Sequence, residues 1–240
     1  MIKIIADACA NHLGDRRLIE QMIKKAAETK IDIIKFQSFR ANKLNKTYPN
    51  YEENYEYYKS VQLSRDDHIF ILDACKKYGI EPLFTVFDLE TVEVLEELGI
   101  DTIKIASPDA DNWDLIKTCL GTFEVIFIST GMINTEQIRG LLELDNFIIM
   151  YCISKYPTKI EEIDYELMKI CHGFSDHTLG ITAAKKAIDL EVEYIEKHFT
   201  LGRDLPGRDQ AMSATLEDFK EIIDYRDYKN KVQIYKSRWR

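Results

Sequence analysis

Nowhere in these 240 residues does one glycine stand two positions from another, so the G-x-G-x-x-G turn that opens a dinucleotide-binding fold is missing. No G-x-S-x-G elbow occurs either, which leaves an α/β-hydrolase nucleophile without its usual seat. The cysteines Cys9, Cys75, Cys119, Cys152 and Cys171 are odd in number and form no C-x-x-C pair. A disulfide framework or a zinc knuckle is therefore not expected, and reduced thiols in the cytoplasm are. The opening "MIKIIADACANHLGD" has only a short apolar run before Asp7, and no segment reaches the ~18 uninterrupted apolar residues of a membrane span. A soluble, unprocessed chain with no membrane partner is the expectation. Cations are in deficit, with a formal net charge of −9 and a pI near 5.2. That balance argues against nucleic acid, whose phosphates call for a clustered excess of Lys and Arg. Small-molecule chemistry remains.

What is present is a regular alternation. With 45% hydrophobic content the chain can bury a full-sized core. Short apolar runs rich in β-branched residues, "IKIIADA", "DIIKFQS", "EPLFTVF", "DTIKIAS", "EVIFIST", "NFIIMYCIS", "GFSDHT" and "VEYIEKHFT", are each followed by an amphipathic stretch. Runs such as "IKII" and "VIFI" lack polar alternation, as strands buried on both faces of a parallel sheet do. Eight strand-helix units predict a closed (β/α)8 TIM barrel over residues 1–228, ahead of a doubly wound open sheet. The basic "KNKVQIYKSRWR" at 229–240 reads as a helix end or a terminal tail. Gly79, Gly99 and Gly121 read as helix ends before strands. One insert, "NKLNKTYPNYEENYEYYKSVQLS", breaks the rhythm after the second strand. Its Tyr48, Tyr51, Tyr55, Tyr57 and Tyr58 suit a lid, a partner surface or an extra helix on the rim.

In a barrel, chemistry gathers where strands end at their C-terminal side. The unusual polar residues fall there: Asp7, Lys35 with Gln37, Thr85, Lys104 with Ser107, Ser129 to Gly131, Ser154, Ser175 to His177, and Glu196 with His198. Lysines within "IIKFQ" and "TIKIAS" would bury an ammonium at a cost of several kcal/mol unless each meets an anion. Two readings stay open: a phosphate or carboxylate ligand, or a structural network with Asp7, Asp109 or Glu196. His177 and His198, 21 residues apart on adjacent strand ends, read as an open divalent-metal site or as two satisfied histidines. A Ser-His-Asp triad from "SDH" is disfavoured, because three neighbours on a short strand do not point at one another.

Seven segments in order, "IIADACANHLGD", "KFQSF", "KIAS", "STGM", "YPT", "GFSDHT" and "IEKHFT", resemble the sialic acid synthase family. The likeness spans residues 2 to 228. It implies condensation of phosphoenolpyruvate with N-acetylmannosamine or a related aldose, giving a 2-keto-3-deoxy sugar acid and phosphate. It implies a divalent metal on His177 and His198, manganese first, with magnesium or cobalt as alternatives. It also implies a phosphoenolpyruvate site of Lys35, Thr85, Lys104, Ser107, Ser129, Gly131, Ser154 and Ser175, and a sugar site of Gln37, Tyr156 and Asp209. A homodimer is implied as well. Several positions depart from the family: Asp7 and Asp109, which the resemblance casts as the catalytic carboxylates, stand where glutamate is usual, Val86 replaces the proline of "TPF", Ser154 replaces an asparagine, and Arg208 replaces the proline of "GPD". Family members commonly continue into an antifreeze-like domain that lends an arginine to the partner's sugar site. The expectation here is that Arg208 supplies that cation within the chain. A barrel that binds a phosphorylated ligand or partner without turnover, or another keto-acid condensing enzyme or aldolase, is the alternative.

Overall fold

Eight parallel strands close on one another in chain order, β1 beside β8 as well as β2. They are β1 (Lys3–Asp7), β2 (Ile33–Ser38), β3 (Glu81–Val86), β4 (Thr102–Ile105), β5 (Val125–Ser129), β6 (Phe147–Tyr151), β7 (Gly173–Asp176) and β8 (Tyr194–His198). A computed structural model describes residues 2–44 and 51–237. The predicted (β/α)8 barrel is the observed fold. Around it lie α1 (Arg16–Glu28), α2 (Tyr51–Val61), α3 (Arg65–Tyr78), α4 (Leu89–Glu97), α5 (Trp113–Thr122), α6 (Thr135–Leu142), α7 (Tyr165–Ile170), α8 (Thr182–Asp189) and α9 (Leu216–Ser237).

Local chemistry starts and stops these helices. Ser64 and Asp67 form a capping box on α3, Asn134 and Gln137 another on α6, and Asp88 caps α4 by accepting from the Thr91 amide. Gly79 ends α3 in the left-handed region, whereas Gly121 lies inside the last turn of α5 rather than beyond it. The tyrosine-rich insert forms the extra rim helix α2. Tyr51 and Val61 bury against Ala10, Phe39 and Leu44, and Tyr55, Tyr57 and Tyr58 pack at the edge. Tyr48 lies outside the described residues. Helix α9 continues through residue 228 to Ser237, and residues 238–240 of the basic tail are again outside.

The period of two sorts each strand between two cores. Ile4, Ala6, Ile34, Phe36 and their counterparts face the helices in the large cluster, while Ile5, Ile33, Leu83, Phe127 and Met150 fill the barrel interior. Gly173 is required in that interior: a Cβ there would stand 2.4 Å from Met150 Sδ and 2.8 Å from the Tyr194 carbonyl oxygen. The alternation also separates the "SDH" neighbours. Asp176 turns outward to pair with Lys197 at 2.9 Å, while Ser175 turns inward to Lys104 and Glu196, so no triad forms. Among the described residues, no helix is long and apolar enough to cross a membrane.

Candidate active site at the barrel mouth

Above the apolar interior, the next inward layer is almost wholly polar. Register alone sets Asp7 opposite Lys35 and His198, Gln37 opposite Thr85, Thr85 opposite Lys104, and Ser175 opposite Glu196. Glu196 is the hub of this layer. Its Oε1 accepts from Lys104 Nζ at 2.5 Å, Lys35 Nζ at 3.0 Å and the Ser175 hydroxyl at 3.3 Å. Lys35 Nζ also reaches Asp7 Oδ2 at 2.9 Å, and Lys104 Nζ donates to Ser175 Oγ at 3.0 Å. The hydroxyls of Ser175 and Ser129 lie 3.1 Å apart.

All four charges are buried, so each depends on the others. Burial opposes the Lys35 ammonium, but Asp7 and Glu196 more than offset it and hold it above its usual range. Burial, with Lys35 alongside, pulls Lys104 below its usual range against the opposing pull of Glu196. Burial would also raise the Glu196 carboxyl, yet Lys104 and Lys35 hold it well below the ordinary carboxylate range. Two cations face two anions, and the structural network foreseen for the lysines is present through Asp7 and Glu196.

A second group sits beside this one. Ser107 Oγ accepts from the Gly131 amide at 3.1 Å and lies 3.0 Å from Cys152 Sγ. Gly131 has no room for a side chain, since a Cβ would come within 2.5 Å of Ser154 Oγ and 2.7 Å of Cys152 Sγ. Its glycine lets the β5–α6 loop close onto the end of β6. Asp109 is buried on a short 3-10 turn after β4, where Asn112 donates to it at 3.2 Å. Gln37 is half-buried, two residues beyond Lys35 on the same face of β2. Thr85 Oγ1, Ser154 Oγ and Glu196 Oε2 are buried polar atoms without a protein partner. Buried polar groups are almost always satisfied, so these three are where the mouth can receive a polar ligand.

The histidines complete the rim. His177 Nδ1 lies 2.7 Å from the Ile153 carbonyl oxygen, which can only accept, so the proton is on Nδ1 and the Nε2 lone pair is free. Burial, with a smaller contribution from His198, pulls His177 down to about 3, which keeps the ring neutral. The two imidazoles stand 5.5 Å apart between centroids, and the half-exposed Tyr156 ring lies 4.2 Å from His177 and 5.6 Å from His198. His198 Nδ1 is buried and unpartnered, and its Nε2 is 3.8 Å from Asp7 Oδ2. Ligand atoms of Asp7, Cys9 and His198 all lie within 4.8 Å of one another. Asp7, Cys9 and His198 thus bring a carboxylate, a thiol and an imidazole together, a donor set that fits a divalent metal, while His177 is not a member of that close group and offers its free lone pair from the same rim.

Arg208 and Asp209 belong to the loop between β8 and α9. The Arg208 guanidinium sits 4.9 Å over the Tyr57 ring and donates to the Asn54 side-chain oxygen, tying that loop to α2. Asp209 is half-buried, and its charge is felt at Cys9, whose thiol is raised well above its usual range by burial, then by Asp7, then by Asp209.

Four residues gained no role from sequence alone. Glu196 was visible only as one of several candidate partners for the lysines. Its signal was the alternation that puts it two residues before His198 on β8. Asn11 donates to the Phe199 carbonyl at 2.8 Å and to Ser213 Oγ at 3.0 Å, and His12 Nδ1 accepts from the Gly14 amide at 3.1 Å. These two shape the loop after β1. Cys9 carried no signal beyond its place at the end of β1.

The NeuB family model matches residues 22–234. The chain is 32% identical to an N,N'-diacetyllegionaminic acid synthase from Legionella pneumophila over 248 residues, covering 92% of this chain and 70% of that protein. An enzyme of the same name from Campylobacter jejuni is 32% identical, with 91% of this chain and 73% of that one covered. The crystal structure of an N-acetylneuraminic acid synthetase from Leptospira borgpetersenii superposes with a TM-score of 0.88 at 27% identity, over 97% of this chain and 85% of that one. The chain belongs to the NeuB family and is an enzyme of the sialic acid synthase type.

Proposed function

We propose that this protein condenses phosphoenolpyruvate with an aldose of the N-acetylmannosamine kind, giving a sialic-acid-like 2-keto-3-deoxy sugar acid and inorganic phosphate. The observation that carries the reading is the convergence of Lys35, Lys104, Ser129 and Ser175 on one buried layer directly beside His177 and His198. Carbon 3 of phosphoenolpyruvate bonds to the aldehyde carbon, the aldehyde oxygen takes a proton, water adds to carbon 2, and phosphate leaves. A divalent metal held by His177 and His198 would supply Lewis acidity toward the aldehyde oxygen. The chain's own residues position the rest. Lys35, Lys104 and the hydroxyls of Thr85, Ser107, Ser129, Ser154 and Ser175, with the Gly131 loop, bind the carboxylate and phosphate of phosphoenolpyruvate. Asp7 and Asp109 are the carboxylates that move protons, each one methylene shorter than glutamate. Gln37, Tyr156, Arg208 and Asp209 meet the sugar.

Charge balance supports a cation at the mouth. Lys35 and Lys104 are already offset by Asp7 and Glu196, so a polyanionic substrate needs further positive charge to be held in a buried layer. All five cysteines are free, in keeping with a cytoplasmic location. The test is phosphate release across a panel of aldoses with manganese and phosphoenolpyruvate, with His177→Ala as the blank. Release that needs metal, phosphoenolpyruvate and one class of aldose, and that the variant abolishes, is the expected result. Phosphoenolpyruvate bound with no release for any sugar would instead identify a binding protein.

A further inference from the structure

The geometry points to Cys9 as a further protein ligand of the metal, so that a thiolate joins the His198 imidazole at this mouth. The inference rests on the metal-dependent reading above and goes beyond it. Asp7, Cys9 and His198 bring a carboxylate oxygen, a sulfur and a ring nitrogen within 4.8 Å of one another. Two ligands on one tetrahedral ion sit about 3.5 Å apart, given bonds of about 2.0–2.3 Å, so shifts of about an ångström bring the Cys9 sulfur and the His198 nitrogen onto one cation, with Asp7 left to its pairing with Lys35. The sulfur is held in place on three counts. Cys9 is 0% exposed, its amide donates to Asp7 Oδ1 at 3.0 Å, and its thiol lies 3.4 Å from the Asp7 carbonyl oxygen.

The backbone at Cys9 is also unusual. Cys9 has φ +47°, a conformation that glycine adopts freely and side chains rarely do. Leu13, Lys30 and Glu191 share that region, so the angle by itself assigns no use. Packing does not supply one. Cys75, Cys119 and Cys171 lie in the apolar core between barrel and helices, and Cys152 is engaged with Ser107, but Cys9 joins none of the apolar clusters among the described residues. Its neighbours are Asp7 and His198.

A thiolate changes which metal is preferred. Carboxylate and water ligands suit manganese or magnesium and imidazole suits zinc or iron, whereas a thiolate shifts selection further toward zinc and other thiophilic ions. Ligation exchanges the thiol proton for the metal–sulfur bond, and the proton leaves to solvent.

The test uses cobalt(II) added to metal-stripped full-length protein. A near-ultraviolet sulfur-to-cobalt charge-transfer band is expected, absent in Cys9→Ser and in Cys9→Gly. Both variants should bind cobalt at least about tenfold more weakly, since even outer-shell losses cost about 10- to 100-fold in affinity. Cys9→Gly suits the positive φ, which keeps a folded variant in hand. Cobalt bound to the wild type without the band, or a band that survives both substitutions, would overturn the assignment; so would failure of cobalt to bind at all. Phosphate release that continues in a protein whose cobalt shows no sulfur band would overturn the role of Cys9 while leaving the condensation standing.

Discussion

At the scale of single residues, this mouth is a study in charges that exist only because others do. Removing one member of a buried set costs about 3–5 kcal/mol, because it strands its partners. Glu196→Gln should therefore lower the free energy of unfolding by about that amount at neutral pH, read by urea titration. The sign with pH follows from the depressed carboxyl. Its stabilisation is complete above the ordinary 4.5 and fades as pH falls below it toward the folded value. The gap between wild type and variant should narrow on acidification in that range. His12 works in the opposite ionic sense: burial pulls it down to about 4 from 6.5, so the folded state prefers the neutral ring. Unfolded His12 binds a proton that folded His12 refuses, and stability falls as pH drops from 6.5 to 4. His12→Asn keeps an acceptor for the Gly14 amide and removes the titration. The slope of stability against pH in that window should lessen by up to about 1.4 kcal/mol per pH unit, and an unchanged slope would refute the assignment.

Elements decide what covers the mouth. Helix α2 packs through Tyr51 and Val61 onto the rim, and Arg208 clips the β8–α9 loop to it by stacking on Tyr57. An exposed stack of this kind is worth about 0.5–1 kcal/mol. If Arg208 meets the sugar, Arg208→Ala should raise the KM for the aldose about two- to fivefold with little change in kcat. Tyr57→Ala should do the same by removing the platform, and Arg208→Lys should restore part of the loss. An aldose KM that stays put in Arg208→Ala would leave Arg208 as a surface cation. The insert also shows how an element can hide in sequence. Its five tyrosines lacked a clean helical stripe, and only the rim against which Tyr51 and Val61 bury makes the helix worth forming.

For the whole molecule, closure is the controlling event. The interior is packed with Ile5, Ile33, Leu83, Phe127 and Met150, and Gly173 leaves the space that Met150 fills. Gly173→Ala should cost about 1–3 kcal/mol through overpacking, with the melting temperature falling about 2–4 °C for each kcal/mol. Met150→Val in the same chain should return part of the loss, because it clears the sulfur but not the Tyr194 carbonyl.

The eight strand-helix units were legible because buried parallel strands must read as unbroken apolar runs and because helix caps are local chemistry. The same alternation placed Lys35, Lys104, Ser175 and His198 at strand ends, since the direction of a side chain on a strand follows from counting by two. Pairing was not legible. Asp7 meets His198 across 191 positions of sequence only because β8 closes onto β1, and Glu196 becomes the anchor of both lysines only once β2, β4 and β8 face one centre. Nor could Cys9 be distinguished from a packing cysteine before its backbone angle and its neighbours were known. Composition and periodicity determined the barrel and the end of it that carries chemistry, because those depend on local pattern and burial. Which charge answers which, and which donors can share one metal, was decided by register and closure, because such contacts are distances between strands that no order of residues along the chain contains.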